Sequence, residues 1–163
     1  MNIHELQKRL KEKFNFNTNQ KKKNLILIEA AHNGYIDAVK YLVGVGAKIH
    51  SKNDLALIYA SRRGHLNIVK YLVKKGADIN TKGNEPLICG TLEIVKFLVE
   101  NGAKINENKM KLINKAIYNN KIDIIKYIIS KCKDTIDYNN ALIYASRWKR
   151  IEIINLLIKH GAN

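Results

Sequence analysis

The sequence has little of what marks several protein classes. It contains one proline and two cysteines in 163 residues. Cys89 and Cys132 are too few for a disulfide framework, and they lack the paired Cys/His spacing of a zinc site. No apolar run approaches the roughly 18 residues of a membrane span, and residues 1–16 lack the apolar core of a signal peptide. We therefore expect free thiols, no metal, no membrane contact and an intracellular, cytoplasmic location rather than secretion.

Acidic residues are also scarce. Asp and Glu together number 14 against 29 Lys and Arg, which gives a net charge of +15. A charge of this size favours acidic partners through the long-range field but says nothing about the fold. Nearly all the basic residues are lysines, whereas specific readout of nucleic acid depends on the arginine fork. The composition therefore disfavours sequence-specific binding to nucleic acid.

What the sequence does contain is a repeat. Five similar seven-residue blocks begin at Asp37, Asn67, Glu93, Asp123 and Glu152. A Gly-Ala pair follows each block except the fourth, where Lys131 and Cys132 stand instead. Glycine at that point is typical of a helix C-terminus, and a shorter helical segment precedes each block. The pattern predicts helix, tight turn, helix and loop, repeated so that each unit buries its apolar face against its neighbours.

These residues resemble the ankyrin-repeat family. The segment from Gly64 to Asn80 follows the family pattern almost position by position, and the resemblance covers Leu25 to Asn163. It implies an all-α solenoid of about five repeats, over residues 25–54, 55–84, 85–110, 111–140 and 141–163. The Lys/Ile/Asn bias and the twice-used block Ala-Leu-Ile-Tyr-Ala-Ser-Arg are similar to ankyrin proteins of giant DNA viruses, such as those of mimivirus type.

The third repeat is shorter than the others. Leu57 and Gly64 are seven residues apart, whereas Leu87 and Gly90 are three apart. Four residues, about one helical turn, are therefore missing from its first helix. We expect this helix to be very short and the backbone at 85–92 to open locally.

Residues 1–24 are set apart as a separate N-terminal segment. Ile3, Leu6, Leu10 and Phe14 have the spacing of an amphipathic helix, and a polar linker follows them. We expect this helix to cap the first repeat. A docking helix for a second partner and a disordered tail are the alternatives.

The sequence contains no constellation that indicates an enzyme. No nucleophile has an evident base, no phosphate loop is present, and the five histidines fall at different positions of the repeat. The acidic residues that open the second helices complement the helix dipole rather than form a catalytic column. His65 resembles the family's structural histidine at the turn between helices. We expect no catalytic residues, no cofactor and no small-molecule substrate.

The resemblance implies that a partner binds the concave face formed by loop tips and the ends of first helices. This face would hold Tyr118, Trp148 and three of the five arginines, residue types enriched at binding hot spots. Solvation of a helix face is the alternative for the arginines, and burial is the alternative for Trp148. The expected partner-binding residues are His32, Asn33, Ser51, Lys52, Asp54, Arg62, Arg63, Thr81, Lys82, Asn84, Glu107, Asn108, Met110, Tyr118, Asn119, Arg147 and Trp148.

The leading hypothesis is a protein–protein interaction scaffold that holds an acidic or mixed-polarity protein surface, in the host cell if the protein is viral. One alternative is non-specific binding of nucleic acid by Lys40, Lys70, Lys96 and Lys126 on the second helices. The other is an adaptor whose N-terminal helix docks a larger assembly.

Overall fold

The computed structural model describes residue 8, residues 19–132 and residues 135–163. The last two ranges contain ten α-helices and no β-strand. The helices are α1 (Gln20–Asn33), α2 (Ile36–Gly44), α3 (Leu55–Arg63), α4 (Leu66–Lys74), α5 (Thr81–Cys89), α6 (Leu92–Glu100), α7 (Ile105–Tyr118), α8 (Ile122–Cys132), α9 (Tyr138–Arg147) and α10 (Ile151–Lys159).

The second helix of each pair shows why such short segments are helical. In α4, Ile68, Val69 and Leu72 recur at helical spacing and are completely buried. Gly76 follows with a φ of +91°, and the Ala77 N–H donates to the Leu72 carbonyl at 3.0 Å. A helix of nine residues is marginal in isolation, so burial of this apolar stripe supplies most of its stability.

The chain forms two compact units that meet in sequence at Pro86 and Leu87. In the first unit α1 and α2 form one hairpin and α3 and α4 form the next. Helix α1 packs on α3, and α2 packs on α4. The first helices and the second helices of this unit therefore form two layers, and the hairpins stack as the repeat pattern predicts.

The second unit repeats this arrangement. Helices α7 and α8 form one hairpin, and α9 and α10 form another. Helix α7 packs on α9, and α6 packs on α8. Ile113, Ile117, Ile125 and Ile128 are completely buried in its core. The all-α fold expected from the sequence is confirmed.

Helix α5 confirms the shortened first helix of the third repeat. Lys82, Gly83 and Asn84 have left-handed backbones, with φ between 47° and 67°. Regular helix is therefore confined to residues 85–89. Leu87 in this single turn is nevertheless completely buried.

Several boundaries differ from the sequence-based expectation. Residues 20–24, expected in a polar linker, form the first turn of α1, where Asn19 caps the Lys22 N–H at 3.2 Å. Helix α8 runs for eleven residues because no Gly-Ala pair stops it, and Cys132 lies in its last turn. The predicted amphipathic helix of Ile3 to Phe14 lies outside the described residues, apart from residue 8. No helix within the described ranges is both long enough and apolar enough to cross a membrane.

Candidate functional site

In the first unit, a cluster of polar and aromatic side chains lies where α1 and α3 end. It consists of His32, Tyr59, Arg62, Arg63 and Glu85 and is called the unit 1 cluster. The Arg63 Nε–H donates to His32 Nε2 at 2.9 Å, and the His32 ring meets Tyr59 edge-on with centroids 5.3 Å apart.

Arg62 occupies the same cluster with a different partner. Its guanidinium lies 2.9 Å from Glu85 and 5.8 Å from the centroid of the Tyr59 ring. The ion pair is largely exposed, so it contributes little to stability. It does hold the arginine in place, and it neutralises one of the two guanidinium charges of the cluster.

In the second unit, four exposed side chains lie where α7 and α9 end. They are Lys115, Tyr118, Arg147 and Trp148, called the unit 2 cluster. Tyr118 and Trp148 meet edge to face at a centroid distance of 4.7 Å. The Lys115 ammonium lies 5.5 Å from the Tyr118 centroid. Trp148 is 39% exposed, so the alternative that burial explains this residue is wrong.

Side chains from the following hairpin hold both clusters in position. His65 Nε2 donates to the His32 carbonyl at 3.1 Å, which agrees with the structural role expected for this histidine. Arg150 stands at the equivalent position of the last repeat. Its Nε and Nη2 donate to the carbonyls of Ile117 and Tyr118 at 3.2 and 2.7 Å. The repeat register alone could have identified Arg150 as the substitute for the histidine.

Four of the expected binding residues do not offer a free surface. Asp54, Thr81, Asn84 and Asn108 are at most 8% exposed, so the expectation that they lie on exposed loop tips is wrong. The Asp54 carboxylate accepts the Asp78 N–H at 3.1 Å and a His50 hydrogen at 2.9 Å. The bond to Asp78 joins one loop to the next, which explains the burial of Asp54.

The remaining expected binding residues lie in helix α7, in loops or at helix ends. Glu107, Asn108 and Met110 belong to α7 rather than to a loop, and Glu107 pairs with Lys104 at 3.3 Å. Lys52 and Lys82 are exposed, Ser51 is half-buried, and Asn33 and Asn119 are exposed at helix ends. The sequence reasoning missed Tyr59, Glu85 and Lys115, although Tyr59 lies within the block that the second and fifth repeats share.

The lysines of the second helices are a separate feature. Lys40, Lys70, Lys96 and Lys126 are all exposed. The Lys96 ammonium lies 6.0 Å from the Tyr127 ring, and burial raises the pKa of the Tyr127 hydroxyl. The phenol therefore stays neutral at physiological pH and adds no acidic charge beside the lysines.

The acidic residues that open the second helices lie where the sequence predicts. Asp37, Glu93, Asp123 and Glu152 lie in first turns of their helices. A hydrogen bond from its own backbone N–H lowers the pKa of the Glu93 carboxyl.

Within the described part of the chain, no group of three or more His, Cys, Asp or Glu side chains is placed to hold a metal ion. An open pocket of about 460 Å³ is lined by Lys126, Ile129, Ser130, Leu156 and His160.

Comparison with known families agrees with this architecture. A family model for ankyrin repeats, in three copies, matches residues 2–83 and 85–163. The match therefore extends over residues 2–24, which the sequence analysis set apart from the repeats. No curated protein shows a significant match to the chain.

Proposed function

Because the chain belongs to the ankyrin-repeat family, we propose that it is a protein-interaction scaffold whose exposed first-helix ends bind a partner protein. Ankyrin repeats generally mediate protein–protein interaction and generally act as non-enzymatic scaffolds. The proposed partner is an intracellular protein with an acidic surface, and the resemblance to giant-virus ankyrin proteins favours a host protein. The net charge of +15 supports an acidic partner.

The observation that carries this proposal is the composition of the two clusters. Each presents arginine and aromatic side chains together at the end of a first helix. Trp, Tyr and Arg are the residues whose truncation most often costs binding energy at interfaces. The side chains are also oriented by neighbours, Arg63 by His32 and Tyr118 by Trp148. Such ordering lowers the entropy lost when a partner binds.

Non-specific binding of nucleic acid by the second-helix lysines is a second candidate. The exposure of Lys40, Lys70, Lys96 and Lys126 favours it. Such binding would weaken steeply as salt rises, because it depends on the release of counterions from phosphates. The proposed adaptor role depends on residues 1–18, nearly all of which lie outside the described ranges.

The test is affinity capture from lysate with nuclease present, at low and moderate salt. A first variant changes Arg62, Arg63, Arg147 and Trp148 to Ala. A matched control changes Lys40, Lys70, Lys96 and Lys126 to Ala, which removes the same number of side chains from the second helices. Circular dichroism of both variants should match that of the unmodified protein.

We expect a defined protein to survive nuclease and salt, to be retained by the lysine variant and to be lost with the first variant. Capture of nuclease-sensitive material alone, lost with the lysine variant, would contradict the scaffold proposal and establish the second candidate.

A further inference from the structure

The two segments that carry the unit 2 cluster are basic, and the carboxylates of Asp123 and Glu152 follow them in the first turns of α8 and α10. Neither residues 108–122 nor residues 138–151 contain an aspartate or a glutamate. The same two segments hold seven basic residues: Lys109, Lys111, Lys115, Lys121, Arg147, Lys149 and Arg150. Glu107, the acidic residue in the first turn of α7, is already paired with Lys104. The unit 1 cluster differs, because Glu85 neutralises Arg62 there.

An aromatic pair lies among these cations. Tyr118 is 45% exposed and Trp148 is 39% exposed. Within residues 19–132 and 135–163, neither the Trp148 indole N–H nor the Arg147 guanidinium has a hydrogen-bond partner. Both groups are therefore available to a ligand. Lys111 precedes Lys115 by four residues on α7, which places both ammonium groups on one helix face.

Hydrogen bonds also hold the backbone that carries Tyr118 and Trp148. Arg150 donates to the carbonyls of Ile117 and Tyr118, so the last turn of α7 is bonded to the residue that follows the Trp148 turn. Trp148 caps α9, and its N–H donates to the Tyr144 carbonyl at 3.4 Å. A surface held in this way loses little conformational freedom on binding.

We infer that Lys111, Lys115, Tyr118, Arg147 and Trp148 form a binding site for an acidic peptide segment that carries one apolar or aromatic side chain. This inference depends on the proposed scaffold function and names the chemistry of the partner. The apolar side chain packs on the exposed indole, and flanking carboxylates pair with Arg147 and the two lysines.

The aromatic geometry favours a peptide over a nucleic acid. Single-stranded nucleic acids bind along rows of free ring faces, one for each stacked base. Here the two rings are in contact at an interplanar angle of 90°, so the edge of one covers a face of the other. What remains is a platform for one side chain, surrounded by cations.

The chain contains one tryptophan, so Trp148 emission reports directly on this site. The probe is an acetylated 12-residue peptide of Asp and Glu with one central Leu. The comparison ligands are the same peptide with Lys in place of every acid, the same peptide with Ala in place of Leu, and a 12-nucleotide oligothymidine. Titrations are run with the full chain at moderate salt.

We expect a saturable blue shift of Trp148 emission with the acidic Leu peptide and none with the lysine peptide. The Lys115→Glu/Arg147→Glu variant should bind at least about tenfold more weakly, as expected for loss of hot-spot contacts. Replacing Leu by Ala in the peptide should also weaken binding by about tenfold. The matched variant Lys74→Glu/Lys75→Glu makes the same charge change in the first unit, at exposed residues outside both clusters, and should leave the titration unchanged.

Tighter binding of oligothymidine than of the acidic peptide would overturn the inference in favour of nucleic acid. No change in Trp148 emission with any ligand, or equal weakening by both charge-reversal variants, would also overturn it. Failure here is distinguishable from failure of the scaffold proposal, because capture of a defined protein is measured separately from the Trp148 titration and would leave that proposal intact.

Discussion

Gly34 ends α1 with a left-handed backbone and lies against the ring of His65. Its φ is +82°, and a Cβ added there would lie 2.7 Å from His65 Cε1. Gly34→Ala should therefore cost the backbone strain of a left-handed alanine, about 1–2 kcal/mol, and in addition the displacement of the imidazole, about 1–3 kcal/mol. Urea unfolding followed by circular dichroism measures the loss.

Gly46 provides the matched control for this substitution. Its φ is +87°, and an added Cβ would meet nothing within 4 Å. Gly46→Ala should thus show the backbone strain alone. Equal destabilisation by the two variants would mean that the contact between Gly34 and His65 has no energetic consequence.

Arg150 makes the corresponding contact in the last repeat through two hydrogen bonds to backbone carbonyls. Arg150→Ala removes both donors, while the Ile117 carbonyl keeps the Asn120 N–H at 3.0 Å, so the loss of two hydrogen bonds should cost about 1–2 kcal/mol. The emission of Trp148 during urea unfolding reports this loss in its own unit. The substitution Lys149→Ala, at an exposed neighbour, is the control and should change stability by less than about 0.5 kcal/mol. An unchanged midpoint for Arg150→Ala would show that water replaces the guanidinium without cost.

Helix α5 has an irregular backbone. Its first residues are left-handed, and its helical part is a single turn at residues 85–89. We expect the amides of residues 85–92 to exchange with deuterium faster than those of α3, which has nine residues and five buried side chains. Hydrogen exchange measured by mass spectrometry tests this. Protection of 85–92 equal to that of α3 would show that burial of Leu87 compensates for the missing turn.

The helical pairs could be predicted because they follow from a local period. The apolar spacing in Asn67 to Val73 and the glycine at Gly76 are enough to place α4 and its end. The burial of Asp54 and Asn84 could not be predicted in this way. Each of them is the last of three successive left-handed residues, and Asp54 also accepts one hydrogen bond from a loop 24 residues away. Polar residues in a loop look exposed until such long-range bonds are known.

For the candidate site, the repeat register predicted which residues lie at the helix ends but not which of them contact each other. It placed Tyr118, Arg147 and Trp148 at helix ends, and the structure brings Tyr118 and Trp148 into contact. It did not reveal that Glu85 pairs with Arg62, because the shortened third repeat obscures which residues face each other. Nor did it reveal that the basic segments 108–122 and 138–151 lie side by side, because this depends on the packing of α7 on α9.

The whole molecule carries a net charge of +15, so its cations repel one another in the folded state. Added NaCl screens this repulsion over distances longer than about 10 Å at 0.1 M. We expect the melting temperature at pH 7 to rise by about 2–4 °C between 20 and 200 mM NaCl, which corresponds to about 1 kcal/mol for a chain of this size. Thermal melts followed by circular dichroism measure the change. A fall in melting temperature would instead show that favourable ion pairs outweigh the net repulsion.

The turns at Gly34 and Asn120 bear on how such a chain can change by mutation. Both residues are left-handed, with φ of +82° and +55°, and each precedes a second helix that the next hairpin reaches, through His65 in one case and Arg150 in the other. A histidine ring fits against a glycine that has no side chain, whereas the long arginine reaches its carbonyls past an asparagine. An arginine opposite glycine therefore avoids the contact that strains a histidine opposite a residue with a side chain. Mutation from the histidine–glycine pair to the arginine–asparagine pair therefore avoids strain if the histidine is replaced first. The reverse change avoids strain if the glycine is restored first.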